Sequence, residues 1–355
     1  MQFRFDAAPA RIYWELTRAC DLACTHCRAG ANAACDPREL SSAEVARVVD
    51  QLAAECQATI IFTGGDPLKR RDFFEIVAHT VKAGLPCLVA PSATPLLTSK
   101  VVASLASLRI GAMSLSLDGA TPSRHDALRG VVGTFSRTIQ AGREIVEAGI
   151  SLQINTLVTA HTIADLPAIH RVVEHLGADR WSLFFLIRTG RGQTLRQITP
   201  VQADAVMNWA LDIGHGRPIV TTTEAPHYRR IELMRRAANR GCADGARSAM
   251  RGLGIRDGNG VMFISHTGEI QPSGFLPLTA GNVRTDRALR TYRDSQLFRG
   301  LRRPDSFKGR CGACPFRDVC GGSRARAYAT EGDPFGSDPL CSYVPTGTAA
   351  PTAPA

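Results

Sequence analysis

No stretch of the sequence approaches the ~18 apolar residues of a membrane-spanning helix. The first residues, Met1 to Asp6, lack the basic and apolar regions of a secretory signal. These two absences lead to the expectation of a cytoplasmic protein with no membrane partner. An even cysteine count is also missing: eleven cysteines cannot all pair within one chain. Short spacings in a reducing compartment turn attention from disulfides to metal. No internal repeat is evident.

What is present is ordinary in bulk. The chain has 355 residues, 44% hydrophobic and 21% charged, enough for one large domain and a smaller one. The net charge of +10 is uneven. Residues 229–326 hold 20 Arg and Lys against 8 Asp and Glu, a local excess of 12. An Arg-rich solvated surface, an acidic substrate or nucleic acid would each account for it.

Hydrophobic patterning predicts strands at 11–17, 58–62, 86–90, 112–117, 151–158 and 181–186. Helical patterns fall at 41–56, opened by the capping box Ser41-Ser-Ala-Glu44, and at 72–83, 99–108, 134–148, 163–176 and 201–213. Strands alternating with helices imply a parallel sheet, either an open doubly wound one or a barrel. From about residue 222 the pattern changes to an Arg-rich helix running to 240, then Gly-rich sequence. A hairpin is expected across 261–271. Divisions are expected as 1–10, an extension; 11–221, the main α/β domain; 222–345, a small cysteine-bearing domain; and 346–355, a disordered Pro, Thr and Ala tail.

Cys20-Asp-Leu-Ala-Cys24-Thr-His-Cys27 follows the first strand. Three thiolates are one short of a structural tetrahedral zinc site. They suffice for three irons of a cubane cluster with the fourth iron open. Small buried residues, or zinc completed by a remote ligand, are the alternatives. Thr63-Gly64-Gly65-Asp66-Pro67 follows the second strand; its glycines permit close backbone approach and its carboxylate could receive an ammonium. Ser114, Ser116 and Asp118 share one face at the fourth strand, and Asn155 lies on the fifth. Cys311-Gly-Ala-Cys314, Cys320 and Cys341 are four thiols spaced for a closed metal site, zinc or iron–sulfur.

With CxxxCxxC after an N-terminal strand, the sequence resembles the radical S-adenosylmethionine (radical SAM) enzymes. The resemblance spans residues 11–345 and implies a partial (β/α)6 barrel and a [4Fe-4S] cluster on Cys20, Cys24 and Cys27. Its open iron would chelate S-adenosylmethionine, whose reductive cleavage gives a 5′-deoxyadenosyl radical. Gly64, Gly65 and Asp66 would meet the amino group of that cofactor; here Asp stands where the family has Glu. Ser116, Asp118 and Asn155 would lie near its ribose or carboxylate, Arg188 near the adenosyl group and His26 near the adenine. A flavodoxin or ferredoxin-type electron donor is implied, and nucleic acid is not expected.

The C-terminal segment resembles SPASM or twitch extensions, which implies one auxiliary [4Fe-4S] cluster on Cys311, Cys314, Cys320 and Cys341. A second auxiliary cluster is not expected, because Ser273 and Ser323 or Arg324 stand where thiolates would be needed. Cys242 would be a leftover ligand. Stretches such as Gly258-Asn-Gly-Val-Met-Phe and Cys320-Gly-Gly-Ser-Arg-Ala-Arg resemble the haem and d1-type haem branch, implying a carboxylated small molecule, a tetrapyrrole, as substrate. Peptide maturases and enzymes on nucleoside-sugar precursors remain as alternatives. Only about ten residues precede the first strand, so no fused peptide-recognition domain is expected. Arg188, Arg191, Arg324 and Arg326 are the candidate partners for substrate carboxylates.

Overall fold

The computed structural model describes residues 5–214, 216–238 and 254–346. Seven strands run parallel in chain order across one sheet. They are β1 (Arg11–Glu15), β2 (Thr59–Thr63), β3 (Cys87–Val89), β4 (Ala112–Ser116), β5 (Ser151–Val158), β6 (Arg180–Phe185) and β7 (Ile219–Thr223). The connections carry α1 (Ser42–Glu55), α2 (Phe73–Lys82), α3 (Ser99–Ser107), α4 (Pro122–Arg129), α5 (Thr134–Glu147), α6 (Leu166–His175) and α7 (Pro200–Ile213). After α8 (His227–Ala238) the chain returns to the other side of β1. There β8 (Val261–Ile264) pairs with it in parallel, and β9 (Glu269–Gln271) and β10 (Gly281–Asn282) add antiparallel edges.

Local chemistry explains the elements. Ser41 and Glu44 close both halves of the capping box on α1, a device that contributes about 1 kcal/mol. Along β5, burial alternates residue by residue: Leu152, Ile154, Thr156 and Val158 are buried, and Gln153, Asn155 and Leu157 are half-buried. Ile12, Trp14, Ile60, Phe62, Val89, Met113, Leu115 and Ile154 join helix residues such as Val48, Val49, Leu105 and Ile145 in one core. Across β4 to β7 the opposite face carries polar rows: register places Ser114 beside Gln153, and Ser116, Asn155, Ser182 and Thr221 in one row. A doubly wound sheet would cover both faces with helices and read as continuous apolar strands. A polar second face fits a curled sheet around a wet lumen, and the sheet stays open at β7 and β10.

Two elements were not anticipated. The β7 strand is Ile-Val-Thr-Thr-Thr, a β-branched run that pairs with β6 from Ile219 to Thr223; a division after residue 221 therefore falls inside a strand. Helix α4, Pro-Ser-Arg-His-Asp-Ala-Leu-Arg, is polar and buries only His125, so it carries little periodic signal. Cys242, the end of the Arg-rich helix at 239–240 and the tail from 347 onward lie outside the described residues. No helix among the described residues is long and apolar enough to cross a membrane.

Candidate functional site

The cysteine loop leaves β1 at the carboxyl end of the sheet. It is closed at its base by the Cys20 amide donating to the Asn32 carbonyl at 2.7 Å. Three other elements hold it by backbone contact. From the loop after β2, the Gly65 and Asp66 amides donate to the Thr17 and Ala19 carbonyls at 2.8 and 2.7 Å. From the end of α4, the Arg129 and Leu128 carbonyls accept from the Ala23 and Thr25 amides. From the chain after β6, Arg191 donates from its amide to the Cys27 carbonyl and from its guanidinium to the Cys24 and Ala31 carbonyls, at 2.8 to 3.0 Å. Arg191 is thus bound into the loop through Nε and Nη1, while its Nη2 has no partner among the described residues.

Donors point at the three sulfurs. The Leu22 amide lies 3.4 Å from Cys20 Sγ, and the Ala31 amide 3.3 Å from Cys27 Sγ. Arg129 Nη1 lies 3.7 Å from Cys24 Sγ; Ser92 Oγ, which donates to the Gly65 carbonyl at 2.9 Å, lies 3.5 Å from Cys20 Sγ. Donors at sulfur stabilise anionic thiolates, bare or metal-bound. Arg129 and Ser92 were invisible as functional residues in the sequence, since neither belongs to a motif and both act through tertiary contacts.

The two acidic candidates take supporting positions. Asp66 is fully buried and accepts from the Leu68 amide at 3.2 Å, the Ser92 amide at 3.4 Å and Thr94 Oγ1 at 2.8 Å. Its carboxylate is committed to protein donors, and burial pushes its pKa up. An ammonium would therefore meet the backbone of the Gly64–Gly65 turn before it met this side chain. Asp118 is likewise buried; it binds the Arg129 guanidinium and accepts from the Leu157 amide at 2.7 Å. Burial, the largest influence, opposes its ionisation, but Arg129, His26, His125 and the Leu157 amide together hold the pKa down. Asp118 thus holds the arginine that reaches Cys24.

Ser116 and Asn155 do sit side by side on the lumen face, with Asn155 Oδ1 accepting from Gln153 at 2.7 Å. Arg188 is exposed at the end of β6. His26 lies in the cysteine loop with Nε2 4.0 Å from Asp118. Burial, and then Arg129, lower its pKa to about 4, so the ring is neutral at pH 7. Its buried Nδ1 has no partner among the described residues, a polar handle for a bound molecule.

A second network ties the loop to the C-terminal segment. Glu15, fully buried at the end of β1, pairs with Arg28 at 3.0 Å and with His266 at 3.0 Å. Burial pushes its pKa up, yet Arg28, His266 and Arg18 together bring it down to about 2. Arg28, next to Cys27, also donates to the Gly274 carbonyl and lies over the rings of Phe263 and Phe275. Residues 263–275 are thereby fixed against the reaction loop.

Cys311, Cys314, Cys320 and Cys341 line one pocket with Arg230, Arg310, Arg317, Asp338 and Tyr343. Amide donors again face sulfur at 3.4 Å: Phe316 to Cys314, Gly322 to Cys320 and Asp338 to Cys311. None of the described cysteines forms a disulfide. Ser273 accepts from the Phe275 amide, while Ser323 caps α9 (Arg324–Glu331) and donates to Glu224 at 2.5 Å. Both serines are engaged in protein bonds. Arg324 and Arg326 are 0% and 1% exposed. Arg326 pairs with Asp338 at 3.2 Å and reaches the Glu224 carbonyl at 2.8 Å, so neither can meet a substrate carboxylate.

Iron–sulfur clusters and S-adenosylmethionine fit these residues. Two separate sets of free thiols receive N–H donors, and beside them lie the partnerless buried atoms Arg191 Nη2, Arg230 Nε and His26 Nδ1. Among the described residues no His, Cys, Asp or Glu side chains gather tightly enough to hold a single bare ion. A cubane spreads its thiolates further than one zinc bonded at about 2.3 Å would.

The Radical SAM superfamily model matches residues 14–173. The AdoMet-dependent heme synthase of Oleidesulfovibrio alaskensis is 38% identical over 348 residues, covering 96% of this chain and 89% of that protein. The AdoMet-dependent heme synthase of Methanosarcina barkeri is 36% identical, covering 95% and 97%. Among solved structures, Streptococcus suis SuiB bound to S-adenosylmethionine superposes with a TM-score of 0.73 at 18% identity, covering 95% of this chain and 78% of that one. The likeness spans nearly the whole chain, and the chain belongs to the radical SAM superfamily.

Proposed function

We propose that this radical SAM enzyme acts on a carboxylated tetrapyrrole, modifying or decarboxylating a side chain in haem-type cofactor biosynthesis. The observation that supports this most is similarity over nearly the whole chain to heme synthases at 36 to 38% identity. When bound, the [4Fe-4S] cluster and S-adenosylmethionine supply the radical that removes a hydrogen atom from the substrate. The protein's own part is to bind and orient. Cys20, Cys24 and Cys27 would hold the cluster. The Gly64–Gly65 backbone, His26, Ser116, Asn155 and Arg188 would surround S-adenosylmethionine, with Asp66 and Asp118 fixing the elements that carry them. Cys311, Cys314, Cys320 and Cys341 would hold the auxiliary cluster. We place the reaction in the cytoplasm, with a flavodoxin or ferredoxin-type donor, and divide the chain after β7 rather than within it.

The substrate is recognised as a polycarboxylate. Carboxylated tetrapyrroles and their methyl esters should bind the anaerobic holoenzyme differently at physiological salt. Loss of even one charge-assisted contact weakens binding at least tenfold, about 1.4 kcal/mol. Equal affinity for acid and ester would defeat this reading and leave the radical SAM core intact.

A further inference from the structure

The basic excess of residues 229–326 has a destination inside the protein. Arg324 is 0% exposed. Its guanidinium donates to the carbonyls of Gly322, Pro334 and Gly336 at 3.3, 3.1 and 2.7 Å, and to Cys311 Sγ at 3.4 Å. It also lies over the Phe307 ring at 4.5 Å. The three oxygen partners are neutral, and among the described residues no carboxylate forms an ion pair with this group. The contrast with Arg326 decides the matter: two residues on and equally buried, Arg326 is neutralised by Asp338.

Arg256 repeats the pattern on the same ring. It is 5% exposed, lies 5.1 Å from the Phe307 centroid and among the described residues its guanidinium bonds to the carbonyls of Gly254, Asp318 and Leu301. Its Nε, without a partner, sits against Gly321 next to Cys320. A buried cation facing only neutral oxygens is costly unless an anion stands close by. The anion at hand is the thiolate set itself, whose charge becomes one unit more negative when a cluster on it is reduced.

We infer that Arg324, with Arg256 behind it, is the built-in counter-charge of the four-cysteine site and raises the reduction potential of the auxiliary cluster there. This rests on the reading that Cys311, Cys314, Cys320 and Cys341 hold an iron–sulfur cluster. A cation held at sulfur stabilises the reduced, more negative state over the oxidised one. The low accessibility of the pair strengthens the effect, because bulk water cannot screen it. Arg324 acts through Cys311 and is a positioning residue.

The experiment uses the full chain carrying Cys20→Ala, Cys24→Ala and Cys27→Ala, so that only the C-terminal site is loaded. Its midpoint potential is read by anaerobic EPR-monitored titration beside an iron count. Arg324→Gln should shift the potential negative by at least a tenfold change in the reduced-to-oxidised ratio, which is 59 mV for one electron. Arg324→Lys, which keeps the charge, should restore most of it. Arg256→Gln should shift it in the same direction by less. A fully loaded Arg324→Gln protein with unchanged potential overturns the inference and leaves the cluster reading standing. If Arg324→Gln cannot be loaded, Arg256→Gln decides: a negative shift supports the inference and no shift overturns it. A parent protein without iron at this site overturns the cluster reading and the inference together.

Discussion

Replacing Cys20, Cys24 and Cys27 with Ala abolishes formation of 5′-deoxyadenosine from S-adenosylmethionine and dithionite, and leaves the C-terminal site loaded. The expectation follows from the separation of the two cysteine sets. The first is held by the loop at the end of β1 through Gly64–Gly65, Arg129 and Arg191. The second shares a pocket with residues beyond 310 and with Arg230 from α8. Nothing in the contacts of one set depends on the sulfurs of the other. Iron should therefore fall from roughly eight to roughly four per chain, while the fold remains. A count near twelve in the unaltered protein would show a second auxiliary cluster, against the committed side chains of Ser273 and Ser323. Undiminished cleavage in the triple variant would remove the reaction centre from this loop.

Gly65→Ala should have an effect nearly as large without touching a ligand. A Cβ at Gly65 would stand 2.4 Å from the Ala19 carbonyl oxygen and 2.6 Å from that of Arg18. Both are backbone atoms immediately before Cys20, and neither can swing aside. The strand-to-loop path must shift, breaking the Gly65 and Asp66 amide bonds to Thr17 and Ala19. The cost of such a forced move is typically several kcal/mol, at the severe end of single substitutions. The expected result is a folded protein that loads the C-terminal site and loses the N-terminal one, with roughly four irons and no 5′-deoxyadenosine. Gly84→Ala is the control: it adds a Cβ at a left-handed glycine, which Gly65 is not, and nothing stands within 4 Å of that Cβ. Normal iron loading in Gly65→Ala would show that the loop is not held at this turn.

The same glycines show how far the sequence could be read. Two glycines after the second strand signal close approach, and the structure supplies it; the approached object is the chain leading to Cys20. The cysteines, the capping box of α1 and the alternation of β5 were legible because each is a local pattern that local physics enforces. Asp66 and Asp118 were legible as positions and not as roles. Their partners, Thr94 and Arg129, are set by tertiary packing, and a carboxylate at a strand end looks alike whether it faces a ligand or a buried arginine. Charge alone also hid where the arginines go. Arg324 and Arg326, named as partners for substrate carboxylates, are buried and spend their guanidinium groups on backbone carbonyls, Asp338 or a cysteine sulfur, and Arg191 binds carbonyls of the cysteine loop. Strand β7 was hidden by its place: a Thr-rich run beside Pro218 resembles a linker until it pairs with β6.

Turnover by the anaerobically loaded holoenzyme tests the central claim most directly. S-adenosylmethionine, a reductant and a tetrapyrrole bearing propionate side chains are supplied together, and products are followed by mass spectrometry. The expected result is 5′-deoxyadenosine formed in step with a tetrapyrrole altered at a side chain, with the methyl ester unchanged. Tetrapyrrole recovered intact while a peptide or a nucleoside uronate is consumed in step with 5′-deoxyadenosine would contradict it.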